Sequence, residues 1–148
     1  MIKRILFILT GGTIAGNVAS NDVAEKVQSG SDHFLNELKV SIEAVKHNWA
    51  IEVQPSVKTL FNVDSSDMQP DHWVQIISAI QENYDQFEAF VVLHGTNTMG
   101  YSAAALTFAF ENINKPVILT GAQVPLGYLG SDATQNLVNA MRLAIWQY

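Results

Sequence analysis

The chain has 148 residues, 48% apolar and 15% charged, with a formal net charge of −6 and no cysteine. That size and mix suit one soluble globular domain with a real core, and not a disordered chain. The acidic balance and eight scattered Lys/Arg argue against nucleic-acid binding, and the lack of cysteine excludes disulfides, thiolate metal sites and cysteine nucleophiles.

The opening MIKRILFIL sets two basic residues before an apolar run, Ile5 to Leu9. The run is shorter than the roughly 7–15 residues of a signal-peptide core, so it reads as a first strand of an intracellular protein. A continuous apolar run is expected of a strand covered on both faces. The turn TGGTIAGN follows, and residues 17–31 are small and polar, as in a mobile loop. Phe34, Leu38, Ile42, Val45 and Trp49 recur at helical spacing and predict an amphipathic helix over 33–47. Ile51, Val53, Pro55 and Val57 alternate and predict a second strand, which Pro55 makes irregular or places at an edge. After the polar turn NVDSSDMQP, Pro70 and Asp71 open a helix with an inner stripe of Trp73, Ile76, Ile77, Ile80 and Tyr84. Ala89 to Leu93 is the third strand, and GYSAAALTFAFEN (100–112), apolar almost all round, predicts a buried helix. Pro116 to Leu119 is a fourth strand, ending in TGAQVPLGYLGS. Asp132 with Gln135 resembles a capping box before a last helix carrying Leu137, Ala140, Met141, Ala144 and Ile145. Nowhere is there the ~20-residue apolar run of a membrane span.

Strict alternation of strand and helix implies α/β architecture: right-handed crossovers and a mostly parallel sheet covered by helices on both faces, a three-layer doubly wound arrangement. Ligands of such sheets sit beyond the carboxyl ends of the strands. Four turns leave those ends: TGGTIAGN, NVDSSDM, HGTNTM and TGAQVP. A single threonine after a strand is usually a cap or turn residue, but repetition along one edge favours a site. The turns lack GxGxxG spacing and a phosphate-loop Lys-Ser/Thr, which leaves only a weak phosphate or flavin reading. The four histidines lack ligand spacing, so no metal is expected, and His94 reads as a structural histidine bonded beneath its turn. What remains is hydroxyl chemistry. Thr13 lies just past a buried strand with two glycines clearing its approach, Thr96 has an amide, Asn97, beside it, and Ser65 and Ser66 with Asp64 could hold a small polar substrate.

These residues resemble the bacterial-type L-asparaginases, in particular the cytoplasmic type I branch. The signatures TGGTIA (10–15) and HGTNT (94–98, HGTDT in the family) carry the resemblance, supported by DSSDMQPDHW (64–73), LTGAQVPL (119–126) and SDATQNLVNA (131–140). The likeness runs through nearly the whole chain in the right order. It implies a flavodoxin/Rossmann-like fold for residues 1–148, as the N-terminal domain of a longer protein whose smaller C-terminal domain would follow. It also implies cofactor-free hydrolysis of L-asparagine to L-aspartate and ammonia, with no metal. Thr13 matches the nucleophile, Thr96 the second catalytic threonine, and Asp64, Ser65, Ser66, Thr96 and Asn97 the substrate-binding positions. Residues 17–31 match the family's closing lid, and the resemblance implies a cytoplasmic homo-oligomer acting on a small molecule, without nucleic acid or membrane. Three features depart from the pattern: Asn97 replaces an aspartate, residues 17–33 hold no tyrosine, and no lysine of this chain occupies the place of the family's catalytic lysine. They open a second reading, a degenerate module that binds an amino acid without turnover. A flavodoxin-like mononucleotide binder is a third.

Overall fold

A computed structural model describes residues 2–15, 23–126 and 128–146. Four strands, β1 (Ile2–Leu9), β2 (Glu52–Thr59), β3 (Ala89–Leu93) and β4 (Val117–Thr120), form one sheet in the order β2-β1-β3-β4. Every pairing is parallel. The helices are α1 (Val23–Trp49), α2 (Pro70–Glu82), α3 (Met99–Ala109) and α4 (Ala133–Ile145).

Side chains alternate across a strand, so an apolar run covered on both faces feeds two cores. Ile5, Phe7 and Leu9 of β1, with Val91 and Leu93 of β3, pack under Phe34, Leu38 and Val45 of α1 and Leu137 and Met141 of α4. Leu6, Ile8, Phe90 and Val92 point the other way, against Ile76 and Ile80 of α2 and Leu106 of α3. The result is the expected three-layer α/β sandwich. The chain runs outward from β1 to β2, then crosses back to β3 and on to β4, so crossovers of one hand place α1 on one face and α2 and α3 on the other. The order reverses between β1 and β3, and a crevice at their carboxyl ends follows from that reversal.

Several expectations change in the structure. The first helix begins at Val23, ten residues before the predicted start. Its buried stripe, Phe34, Leu38 and Val45, anchors the helix, and Ala24, Glu25, Lys26 and Gln28 are good enough helix formers to extend it, though the segment's polar composition reads as loop. Of the predicted mobile loop at 17–31, residues 17–22 lie outside the described residues and 23–31 are helical. Pro55, by contrast, sits as expected on an edge strand, within β2 and opposite Ile5, where its missing N–H can face away from the sheet. The helix after 99 is not buried: only Ser102 and Leu106 are, while Tyr101 is 72% and Phe108 87% exposed. Asp132 precedes α4 at the cap position but makes no side-chain capping bond; its carboxylate faces residues 123 and 124 instead. Among the described residues no helix is long and apolar enough to cross a membrane.

Candidate functional site

Glycines decide how closely the turns beyond the strands approach one another. A Cβ on Gly12 would lie 2.6 Å from Gly95 Cα and 2.7 Å from Gly95 N, and the residue holds φ +78°, in the left-handed region. A Cβ on Gly95 would lie 2.6 Å from Ser65 Oγ, and one on Gly121 would lie 2.5 Å from the His94 carbonyl and 3.1 Å from Thr96 Cγ2. Backbone bonds continue the seam. Thr10 N donates to Leu93 O at 3.1 Å, Val63 N to Thr10 O at 3.2 Å, and His94 N to Thr120 O at 2.9 Å. The four turns that leave the four strands therefore form one continuous rim.

The rim brings together every candidate residue. Thr13 is exposed, in a 3-10 turn one residue past Gly12. Thr96 is half-buried, one residue past Gly95, and its Oγ1 accepts from Gln123 Nε2 at 2.9 Å. Asn97 is exposed and its Nδ2 donates to Ser66 Oγ at 3.1 Å, which ties the turn after β3 to the turn after β2. Asp64 caps the short 3-10 turn 65–67 by accepting the Ser66 N–H at 2.8 Å, and that bond holds its carboxyl below the usual range. Ser65 is different. It is 2% exposed, wedged against Gly95, and its carbonyl accepts the Thr98 hydroxyl at 2.6 Å. It supports the rim from beneath, whereas Asp64, Ser66 and Asn97 present polar atoms to solvent.

His94 lies beneath the turn, as its position after a buried strand predicts. Its Nδ1 is 2.7 Å from the Gly95 carbonyl, an acceptor only, so Nδ1 carries the proton. Burial holds the imidazole below its usual pKa and keeps it neutral, which leaves Nε2 to accept from Ser102 Oγ at 2.7 Å. Ser102 in turn accepts the Trp73 indole N–H at 2.8 Å. A relay thus runs from the half-buried Trp73 of α2 through the buried Ser102 of α3 to the turn that carries Thr96 and Asn97. Since the unfolded imidazole titrates near 6.5, the unfolded chain binds the His94 proton first as pH falls. His94 therefore leaves stability at its full value above pH 6.5 and lowers it below. Urea midpoints measured from pH 8 to pH 5 should fall more steeply for the parent chain than for His94→Gln; parallel profiles would contradict this.

Sequence reasoning missed Gln123, Asp132 and the Trp73–Ser102 pair. The TGAQ turn was visible as a post-strand turn, but nothing local marks Gln123 as reaching Thr96, 27 residues earlier. The cationic side chains all fall outside the four turns, and no cluster of three potential metal ligands exists among the described residues.

Residues 4–148 match the family model described as asparaginase, N-terminal. The chain belongs to the asparaginase family. Within that family, L-asparaginase 1 of Escherichia coli is 52% identical over 82 residues, covering 55% of this chain and 24% of that protein. A component of the glutamyl-tRNA(Gln) amidotransferase of Pyrococcus furiosus is 37% identical over 146 residues, covering 97% of this chain and 31% of that protein. The crystal structure of L-asparaginase I from Vibrio cholerae superposes with a TM-score of 0.77 at 38% identity, covering 97% of this chain and 41% of that one. The chain therefore spans between a quarter and about two fifths of the length of these family members.

Proposed function

We propose that this chain is the nucleophile-bearing N-terminal α/β domain of a cytoplasmic, homo-oligomeric amidohydrolase that converts L-asparagine to L-aspartate and ammonia without cofactor or metal. The observation that carries the reading is the contact of Gly12 with Gly95, which sets the turns of Thr13 and Thr96 side by side at the rim. The names of the family members above share chemistry at an amide.

Thr13, the more exposed of the two hydroxyls, is the nucleophile. Its oxygen attacks the side-chain amide carbon, and its proton must leave to a base as the C–O bond forms. The tetrahedral intermediate expels ammonia, its nitrogen taking up a proton, and water then cleaves the aspartyl ester to release aspartate and restore the hydroxyl. Thr96 orients the amide from the adjacent turn. Asp64, Ser66 and Asn97 hold the polar backbone end of the substrate, with Ser65 supporting them. Thr13→Ala and Thr96→Ala should each abolish ammonia release in a coupled assay, with the urea midpoint unchanged for the exposed Thr13; retention of parental turnover by Thr13→Ala would refute the assignment.

Asn97 favours a second reading, a module that binds the amino acid without turnover. Asparagine keeps the shape of an aspartate and loses its charge beside a substrate ammonium. Because a hydroxyl rotates freely, Ser66 can donate to a carboxylate at 97 as readily as it accepts from the present amide. Asn97→Asp should therefore keep the rim intact and tighten L-aspartate binding by about ten-fold or more, as a hydrogen bond to a charged group implies. Calorimetry measures this, and an unchanged affinity would show that residue 97 does not face the ammonium. Heat of binding without ammonia release would select the second reading.

A further inference from the structure

The turn after β4 acts on Thr96 at both ends of its side chain. A Cβ on Gly121 would lie 3.1 Å from the Thr96 methyl, and Gln123 Nε2 donates to the Thr96 hydroxyl oxygen at 2.9 Å. That turn is itself held from the start of α4. Asp132 Oδ1 accepts the backbone N–H groups of Gln123 and Val124, each at 3.0 Å, and Oδ2 accepts from Asn136 Nδ2 at 3.0 Å. Asn136 Nδ2 also donates to the Gly121 carbonyl at 2.9 Å, and Ser131 Oγ donates to the Val124 carbonyl at 2.9 Å. A carboxylate that accepts several N–H groups is a rigid post, and it stays charged at neutral pH. An amide nitrogen can only donate, so Thr96 Oγ1 spends a lone pair on Gln123, and its own proton stays free to donate elsewhere.

We propose that Gln123, held in place by Asp132, is a positioning residue that fixes Thr96 as a hydrogen-bond donor to the substrate. The proposal deepens the reading of Thr96 as a substrate-orienting hydroxyl and rests on it. Gln123 is exposed and its side chain packs no core, so its variants test position and not folding.

The test uses the full chain and three variants, Gln123→Ala, Gln123→Glu and Thr96→Val, with L-aspartate as the probe. In nitrogen-resolved NMR spectra, the side-chain amide of Gln123 is the pair of peaks lost in Gln123→Ala, and it should shift in Thr96→Val, which keeps the shape and removes the hydroxyl. Calorimetry should show L-aspartate binding weakened about three- to ten-fold in Gln123→Ala, the value of one neutral hydrogen bond. At pH 7.5 Gln123→Glu should bind more weakly than Gln123→Ala, because a carboxylate reverses the bond and draws the Thr96 proton away from the rim. That excess loss should shrink as pH falls toward the glutamate pKa of about 4.3, where the protonated acid donates again. A merely structural role would produce no such pH dependence, and plain repulsion between the new carboxylate and the ligand would leave the Gln123 amide unmoved in Thr96→Val. An amide unmoved in Thr96→Val overturns the proposal, as does parental binding in both Gln123 variants or an equal, pH-independent loss in the two. A parent chain that binds no L-aspartate refutes the functional reading separately, and the amide shift still decides whether Gln123 holds Thr96.

Discussion

Gly12→Ala is expected to lower the unfolding free energy by about 2–5 kcal/mol, a large share of the ~5–15 kcal/mol available to a domain. Two causes add. The residue holds φ +78°, where a side chain costs about 1–2 kcal/mol, and its new methyl would fall 2.6 Å from Gly95 Cα, a backbone atom that cannot swing aside. The β1 and β3 turns must separate to admit it, and the separation moves Thr13 from Thr96. Two other glycines divide the causes. Gly130 has the same φ with open space around it, so Gly130→Ala should show the backbone cost alone. Gly100 lies in the first turn of α3 with nothing near its Cβ position, so Gly100→Ala should stabilise by up to about 1 kcal/mol through helix propensity. Urea midpoints for the three variants check the order. Gly12→Ala falling no further than Gly130→Ala would mean that the turns are not in contact.

Ser102→Ala should cost about 2–4 kcal/mol, far more than an ordinary serine-to-alanine change in a helix. The substitution removes one hydroxyl but strands two partners, the buried His94 Nε2 and the Trp73 indole N–H. A buried polar atom left without a partner costs about 1–3 kcal/mol. Trp73 is only half-buried, so water can recover part of its share, and His94 carries the larger loss. Trp73→Phe leaves the His94–Ser102 bond in place and tests the outer link alone. The double variant should lose less than the sum of the two single variants, because both act on one network. Urea titrations followed by far-ultraviolet circular dichroism supply the four values, and an additive cycle would contradict the relay. Since the Gly95 carbonyl holds the other side of the imidazole, loosening His94 also loosens the turn that presents Thr96 and Asn97.

Local pattern sufficed wherever the physical cause was local. The runs 5–9 and 89–93 are legible as central strands because each side chain must be apolar when both faces are covered, and Pro70 marks the start of α2 because proline suits a first helical turn. The threonine-rich turns are legible as candidates from their position alone, since the carboxyl edge of a parallel sheet collects the post-strand turns. The α1 start was not legible, because the polar composition of 23–31 suits a loop as well as a helix. Nor was the exposure of Tyr101 and Phe108, because an apolar stretch carries no record of how many neighbours cover it.

Asp132 shows the limit most plainly. Its spacing to Gln135 matches a helix cap, yet the carboxylate turns to the backbone of Gln123 and Val124. The competing acceptors and donors were equally plausible from the chain alone, and only their distances in the folded state select among them. By itself, then, the sequence determined the layered parallel architecture, the family and the residue types at the rim, because periodicity and short signatures are properties of neighbours along the chain. The tertiary structure decided which of those residues touch, that Ser65 is buried beneath its neighbours, and that Gln123 reaches Thr96. Those outcomes depend on the close approach of turns far apart in sequence, and glycines at the contacts permit that approach without revealing what they will meet.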